Sequence, residues 1–99
     1  MKYESIILRH GKTVKLDVAL SDQCEIVNVV VSGDFFAYPE DAIEKLEDKL
    51  RYCNSRECIE NAFEALREAV VLGVDVKDLE NKLVELVEKC RSGQHPARY

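Results

Sequence analysis

No apolar segment of this 99-residue chain approaches the length of a membrane span or a signal-peptide core, because charges interrupt every run. That absence leads us to expect a cytoplasmic protein. No run of Lys or Arg breaks the alternation of signs, and the formal net charge is -5. Nucleic-acid and anionic-membrane footprints are therefore not expected. Glycine (4) and proline (2) are scarce, and there is no internal repeat, low-complexity segment or linker. One domain over 1–99 is expected, large enough for a single core and too small to add a substrate domain. Gln94 to Tyr99 reads as a flexible tail.

Catalytic groups are sparse as well. The sequence has 2 histidines, His10 in a turn and His95 beside Pro96 in the tail, and no local signature pairs either with a cysteine nucleophile. The phosphate-loop pattern is absent, so no autonomous nucleotide site is expected. Glu40-Asp41 reads as a carboxylate pair in the first turn of a helix, complementing its dipole. The 4 cysteines, Cys24, Cys53, Cys58 and Cys90, match no zinc or haem spacing, and no bound metal is expected. Buried structural thiols are the expected state, with Cys58 and Cys90 on apolar helix faces. A disulfide or metal clip between Cys53 and Cys58 is the alternative.

What the chain does have is clear patterning, with 46% hydrophobic and 33% charged residues, as in a globular protein. Thr13 to Leu20 alternates with period two: Val14, Leu16, Val18 and Leu20 face one way. Cys24 to Val31 is a second strand, and its run Val29-Val30-Val31 implies either deeper burial or a bulge that shifts the inward face. Tyr3 to Leu8 is a strand ahead of both, closed by Arg9-His10-Gly11-Lys12, so the three form an antiparallel meander. Helices follow. Pro39 is expected in the first helical turn, and Ala42, Ile43, Leu46, Leu50 and Cys53 mark one face. Asn54 or Ser55 caps a second helix, with stripe Ile59, Ala62, Phe63, Leu66, Ala69 and Val70, ended by Gly73. Asp75 caps a third, with stripe Leu79, Leu83, Leu86, Val87 and Cys90. The expected class is α+β: a small three-stranded antiparallel sheet, then about three helices packed on one face.

Ser32-Gly33-Asp34-Phe35-Phe36-Ala37-Tyr38-Pro39 stands out between strand and helix. Gly33 accepts φ > 0 without a Cβ penalty, and Asp34 suits a turn. Phe35 and Phe36, locally extended, point to opposite sides, so one of them is a candidate contact for another molecule. Gly11-Lys12 at the hairpin tip reads either as a plain turn with a solvated lysine or as backbone N–H groups and one ammonium offered to an anion.

Together, Gly11-Lys12, the strand Val14-Lys15-Leu16-Asp17-Val18, the strand Ile26 to Val31, Gly33-Asp34-Phe35-Phe36 and the Pro39-led helix resemble the C-terminal accessory domain of lipoate–protein ligases. The resemblance runs from about Ile6 to about Leu86 and is most specific at Gly33-Asp34-Phe35-Phe36. It implies a fold similar to iron–sulfur scaffolds. It also implies the small subunit of a bipartite ligase, whose large subunit, a separate chain, holds the catalytic and ATP-binding machinery. Such a subunit has no catalytic centre of its own and binds no cofactor alone. Lipoate, ATP and magnesium enter with the complex, where it is needed for adenylation, and lipoyl-acceptor proteins are indirect partners. The resemblance marks Gly11, Lys12, Gly33, Asp34, Phe35 and Phe36 as partner- or ligand-proximal. Members often carry two glycines before the lysine; His10-Gly11-Lys12 implies a stiffer loop. Two other readings remain: an iron–sulfur scaffold or sulfur-transfer protein, which needs thiolates gathered at one end of the sheet, and an interaction module sharing only the fold.

Overall fold

Thr13–Leu20 is the middle strand of the sheet, and its alternation decides which face is buried. The structure, a computed structural model, describes residues 1–9 and 13–92. His10, Gly11, Lys12 and the tail 94–99 lie outside the described residues. Strand β1 (Lys2–Arg9), β2 (Thr13–Leu20) and β3 (Ile26–Gly33) form an antiparallel meander in the order β1-β2-β3. Ile6 pairs with Leu16 and Leu8 with Val14, while Leu16 and Val18 pair across to Val31 and Val29. Val14, Leu16, Val18 and Leu20 are all buried, as their period requires.

The valine run of β3 is explained by a bulge. Ala19 pairs with Asn28 but Leu20 pairs with Ile26, so Val27 has no partner of its own. The extra residue shifts the phase by one position. Ile26 faces inward before it, Val29 and Val31 face inward after it, and Val30 is left exposed.

Three helices close the core: α1 (Ala42–Leu50), α2 (Arg56–Phe63), continued by a short 3₁₀ turn over Glu64–Leu66, and α3 (Val76–Arg91). Their inward residues and the sheet's buried face merge into one apolar cluster, with Leu46, Leu50, Ile59, Leu79 and Leu83 fully shielded from solvent. Ser55 caps α2 by accepting from the Cys58 N–H at 3.3 Å, and Asp75 caps α3 by accepting from the N–H groups of Lys77 and Asp78. Each cap contributes about 1 kcal/mol.

Three expectations are corrected. Pro39 is not in the helix: the Tyr38-Pro39 peptide is cis, Pro39 to Asp41 form a turn, and α1 starts at Ala42. The second helix does not reach Val70. Its regular part ends at Phe63, and Val70–Leu72 is strand β5, paired antiparallel with β4 (Phe36–Tyr38). Cross-strand pairing and the β-branched Val70-Val71 outweigh the helical periodicity there. The cysteines are not free thiols. Cys24 bridges Cys90 and Cys53 bridges Cys58, with Cα separations of 5.7 and 5.4 Å, inside the span a disulfide requires. The positive φ of Cys24 (63°) places it in the β2–β3 turn, which meets the last turn of α3. The Cys53–Cys58 bridge ties the link after α1 to the first turn of α2.

Candidate docking surface

The surface is built from the end of β3 outward. Gly33 has φ +125°, and a Cβ there would meet the Thr13 carbonyl oxygen at 2.5 Å and the Val14 Cα at 2.9 Å. Only glycine fits this turn beside β2. Main-chain bonds hold it: the Asp34 N–H donates to the Thr13 carbonyl at 3.1 Å, and the Phe35 N–H to the Gly33 carbonyl at 3.2 Å. The Asp34 side chain is exposed.

The two phenylalanines then separate, as alternation demands. Phe35 is half-buried and packs against the core, whereas Phe36 is 56% exposed. Phe36 opens β4, and its cross-strand partner on β5 is Leu72; Ala37 faces Val71 and Tyr38 faces Val70. Ala37 and Val71 turn inward onto the core. The outward face of this two-stranded ribbon therefore carries Phe36, Tyr38, Val70 and Leu72, all exposed and all apolar apart from the tyrosine hydroxyl. A ribbon with one polar face would be ordinary. A bare ribbon with four large apolar side chains turned to solvent marks an interaction surface.

Gly73 ties this ribbon to the motif. Its φ is +97°, and a Cβ would meet the Asp34 carbonyl oxygen at 2.7 Å and the Phe35 Cα at 2.9 Å. Its role is close backbone approach, not the helix ending expected of it. Gly33, Asp34, Phe35, Phe36, Leu72 and Gly73 together line an open cleft of about 320 Å³. Four of the six residues marked by the resemblance thus share one cleft; Gly11 and Lys12 fall outside the described residues. Tyr38, Val70 and Leu72 were not anticipated. The signal that could have found them is the β-branched pair Val70-Val71, which favours a strand over a helix end.

Catalytic groups do not converge here. Among the described residues no group of three His, Cys, Asp or Glu side chains is placed to hold a metal ion. The Ser5 hydroxyl donates to Asp17, with the Lys15 ammonium 3.9 Å from the same carboxylate, but this is an exposed cross-strand polar set on the sheet's outer face. No helix among the described residues is long and apolar enough to cross a membrane.

No protein-family model matches the sequence, and no curated protein matches it. A solved structure does match in fold. It describes an archaeal lipoylation system, a bipartite lipoate protein ligase and its E2 lipoyl domain from Thermoplasma acidophilum. One of its chains is similar to this one with a TM-score of 0.61 and 24% identity, over 83% of this chain and 97% of that chain.

Proposed function

We propose that this chain is the non-catalytic small component of a two-component lipoate–protein ligase, working in the cytoplasm with a separate large catalytic chain. The observation that carries the reading is the fold likeness to a chain of a bipartite lipoate ligase system, which spans most of both chains. The apolar ribbon face at Phe36 supports it, because such a face suits a protein partner.

Adenylation joins the lipoate carboxylate to the α-phosphorus of ATP and expels pyrophosphate. The reaction needs two anionic substrates aligned and water kept out of the mixed anhydride. A rigid domain docked over the large chain's open site serves both needs without supplying a reacting group. This chain has no phosphate loop, and its described carboxylates do not gather into a magnesium site. ATP, magnesium and lipoate are therefore assigned to the large component, and the lipoyl group passes from there to a lysine of the acceptor protein. Thr13, which accepts from the Asp34 N–H, adjoins Lys12 in sequence. Lys12 is proposed as a partner- or ligand-proximal residue of the assembled enzyme.

The iron–sulfur or sulfur-transfer reading draws no support from the cysteines. That chemistry needs thiolates together at one end of the sheet, and all four are engaged in two separate disulfides. The deciding experiment is pyrophosphate release from lipoate, ATP and magnesium, omitting each component in turn. Neither chain alone should release pyrophosphate at a substantial rate, and the pair should. Transfer from preformed lipoyl-adenylate should depend on this chain much less. Full adenylation by the large component alone, or no binding between the two chains, would reduce the reading to an interaction module sharing the fold.

A further inference from the structure

The exposed face does not end at Phe36. A second groove, of about 790 Å³, shares Phe35 and Phe36 with the Gly33–Gly73 cleft and runs between β3, β4 and α1. Phe35, Phe36 and Ile43 line it together with four carboxylates, Glu40, Asp41, Glu44 and Glu47. No Lys or Arg lines it among the described residues. Lys45 offsets one of these charges, with its ammonium 3.5 Å from Asp41 in an exposed pair.

Helix-dipole complementation accounts for acids in the first turn of α1. It does not account for Glu47, beyond that turn, or for the like charges at Glu44 and Asp48, four residues apart on one face of α1. Glu47 is held in place, accepting the Val31 N–H at 2.9 Å, so a carboxylate is fixed on the groove wall between α1 and β3. Burial pushes its carboxyl above the usual range, the Val31 bond opposes this, and Glu44 and Asp48 add to the rise. An incoming cation would relieve this arrangement. A divalent metal is not the match, since no three of these groups are placed around one point among the described residues. A groove lined by both apolar side chains and carboxylates instead complements a side chain with an aliphatic stem and a positive head.

We propose that this groove docks a basic segment of the large catalytic component, with Lys or Arg flanked by bulky apolar residues, forming one continuous interface with the Phe36 ribbon face. The inference rests on the proposed function and adds the chemistry of the partner's surface. The whole chain's charge of -5 is consistent with a basic partner.

The test is binding of the full chain to the large component of the bipartite ligase from the same organism, by calorimetry at about 0.05 M and about 0.5 M salt. The native Kd should rise about tenfold or more with salt. E40K/E44K should weaken binding about tenfold at low salt, with the difference collapsing at high salt. Lys45→Ala, which frees Asp41, should tighten binding about twofold. Phe36→Ala should weaken it at both salts. If E40K/E44K changes nothing while Phe36→Ala still weakens binding, the groove inference fails and the ligase reading survives. If the native chains do not bind at either salt, both fail.

Discussion

Opening the Cys24–Cys90 bridge should cost this domain far more than opening Cys53–Cys58, and the difference follows from chain length alone. The first bridge joins residues 66 apart in sequence and the second residues 5 apart. Closing a loop of the first size removes about 4 kcal/mol of entropy from the unfolded chain, and of the second about 2 kcal/mol. Unfolding entropy of about 2.1 cal/mol/K per residue gives a chain of this size roughly 0.2 kcal/mol/K. The long bridge is then worth about 20 °C in Tm and the short one about 10 °C. The assay is thermal unfolding by circular dichroism of the oxidised protein, C24A/C90A, C53A/C58A and the chemically reduced protein. Reduction leaves every side chain in place, so it separates the cross-link from packing; Cys53 is fully buried and its loss adds a small cavity. Equal losses for the two double variants, or a larger loss for C53A/C58A, would refute the chain-entropy reasoning. Four titratable thiols in the denatured, unreduced protein would refute the bridges themselves. The same thiol count on protein trapped from cells bears on compartment, because glutathione keeps most cytosolic disulfides open outside hyperthermophiles.

Phe36→Ala should weaken assembly with the large component by about 1–3 kcal/mol and leave thermal unfolding nearly unchanged, whereas Phe35→Ala, packed on the core, should lower stability by about 2–4 kcal/mol; isothermal titration and denaturant unfolding on both variants separate the two roles. Gly73→Ala should destabilise by about 2 kcal/mol or more, because φ is +97° and the new Cβ meets the backbone of Asp34 and Phe35; an unchanged urea midpoint would contradict that contact. Glu47 has a folded-state pKa raised above its unfolded value, mainly by burial. Its stabilising contribution is therefore full below the unfolded pKa and lost as pH rises through the folded one. Glu47→Gln keeps an oxygen for the Val31 N–H and should flatten this part of the stability profile above the ordinary glutamate range, with stability at neutral pH equal or higher. Urea midpoints from there to neutral pH check it, and a native profile with no fall that Glu47→Gln removes would contradict it.

Local pattern alone determined the meander, the cap of α3 and most of the core. Period two in Thr13–Leu20 selects Val14, Leu16, Val18 and Leu20 for burial, and Asp75 before an amphipathic stretch is enough to start α3. Those signals are legible because strand alternation and capping act over a few residues. Opposite directions for Phe35 and Phe36 were legible for the same reason, though not which of them is covered. Tertiary structure decided the rest. Val70–Leu72 becomes a strand only because Phe36–Tyr38, more than thirty residues earlier, lies beside it. That pairing assembles the apolar face from two segments, one of which had the periodicity of a helix. Cys24 finds Cys90 across 66 residues, which no spacing rule encodes. The acidic groove likewise needs α1 laid against β3, with Glu47 on the Val31 amide, before scattered surface charges line one groove. Contacts between segments distant in sequence form only when the core brings their elements together, and the apolar ribbon and acidic groove are both of that kind.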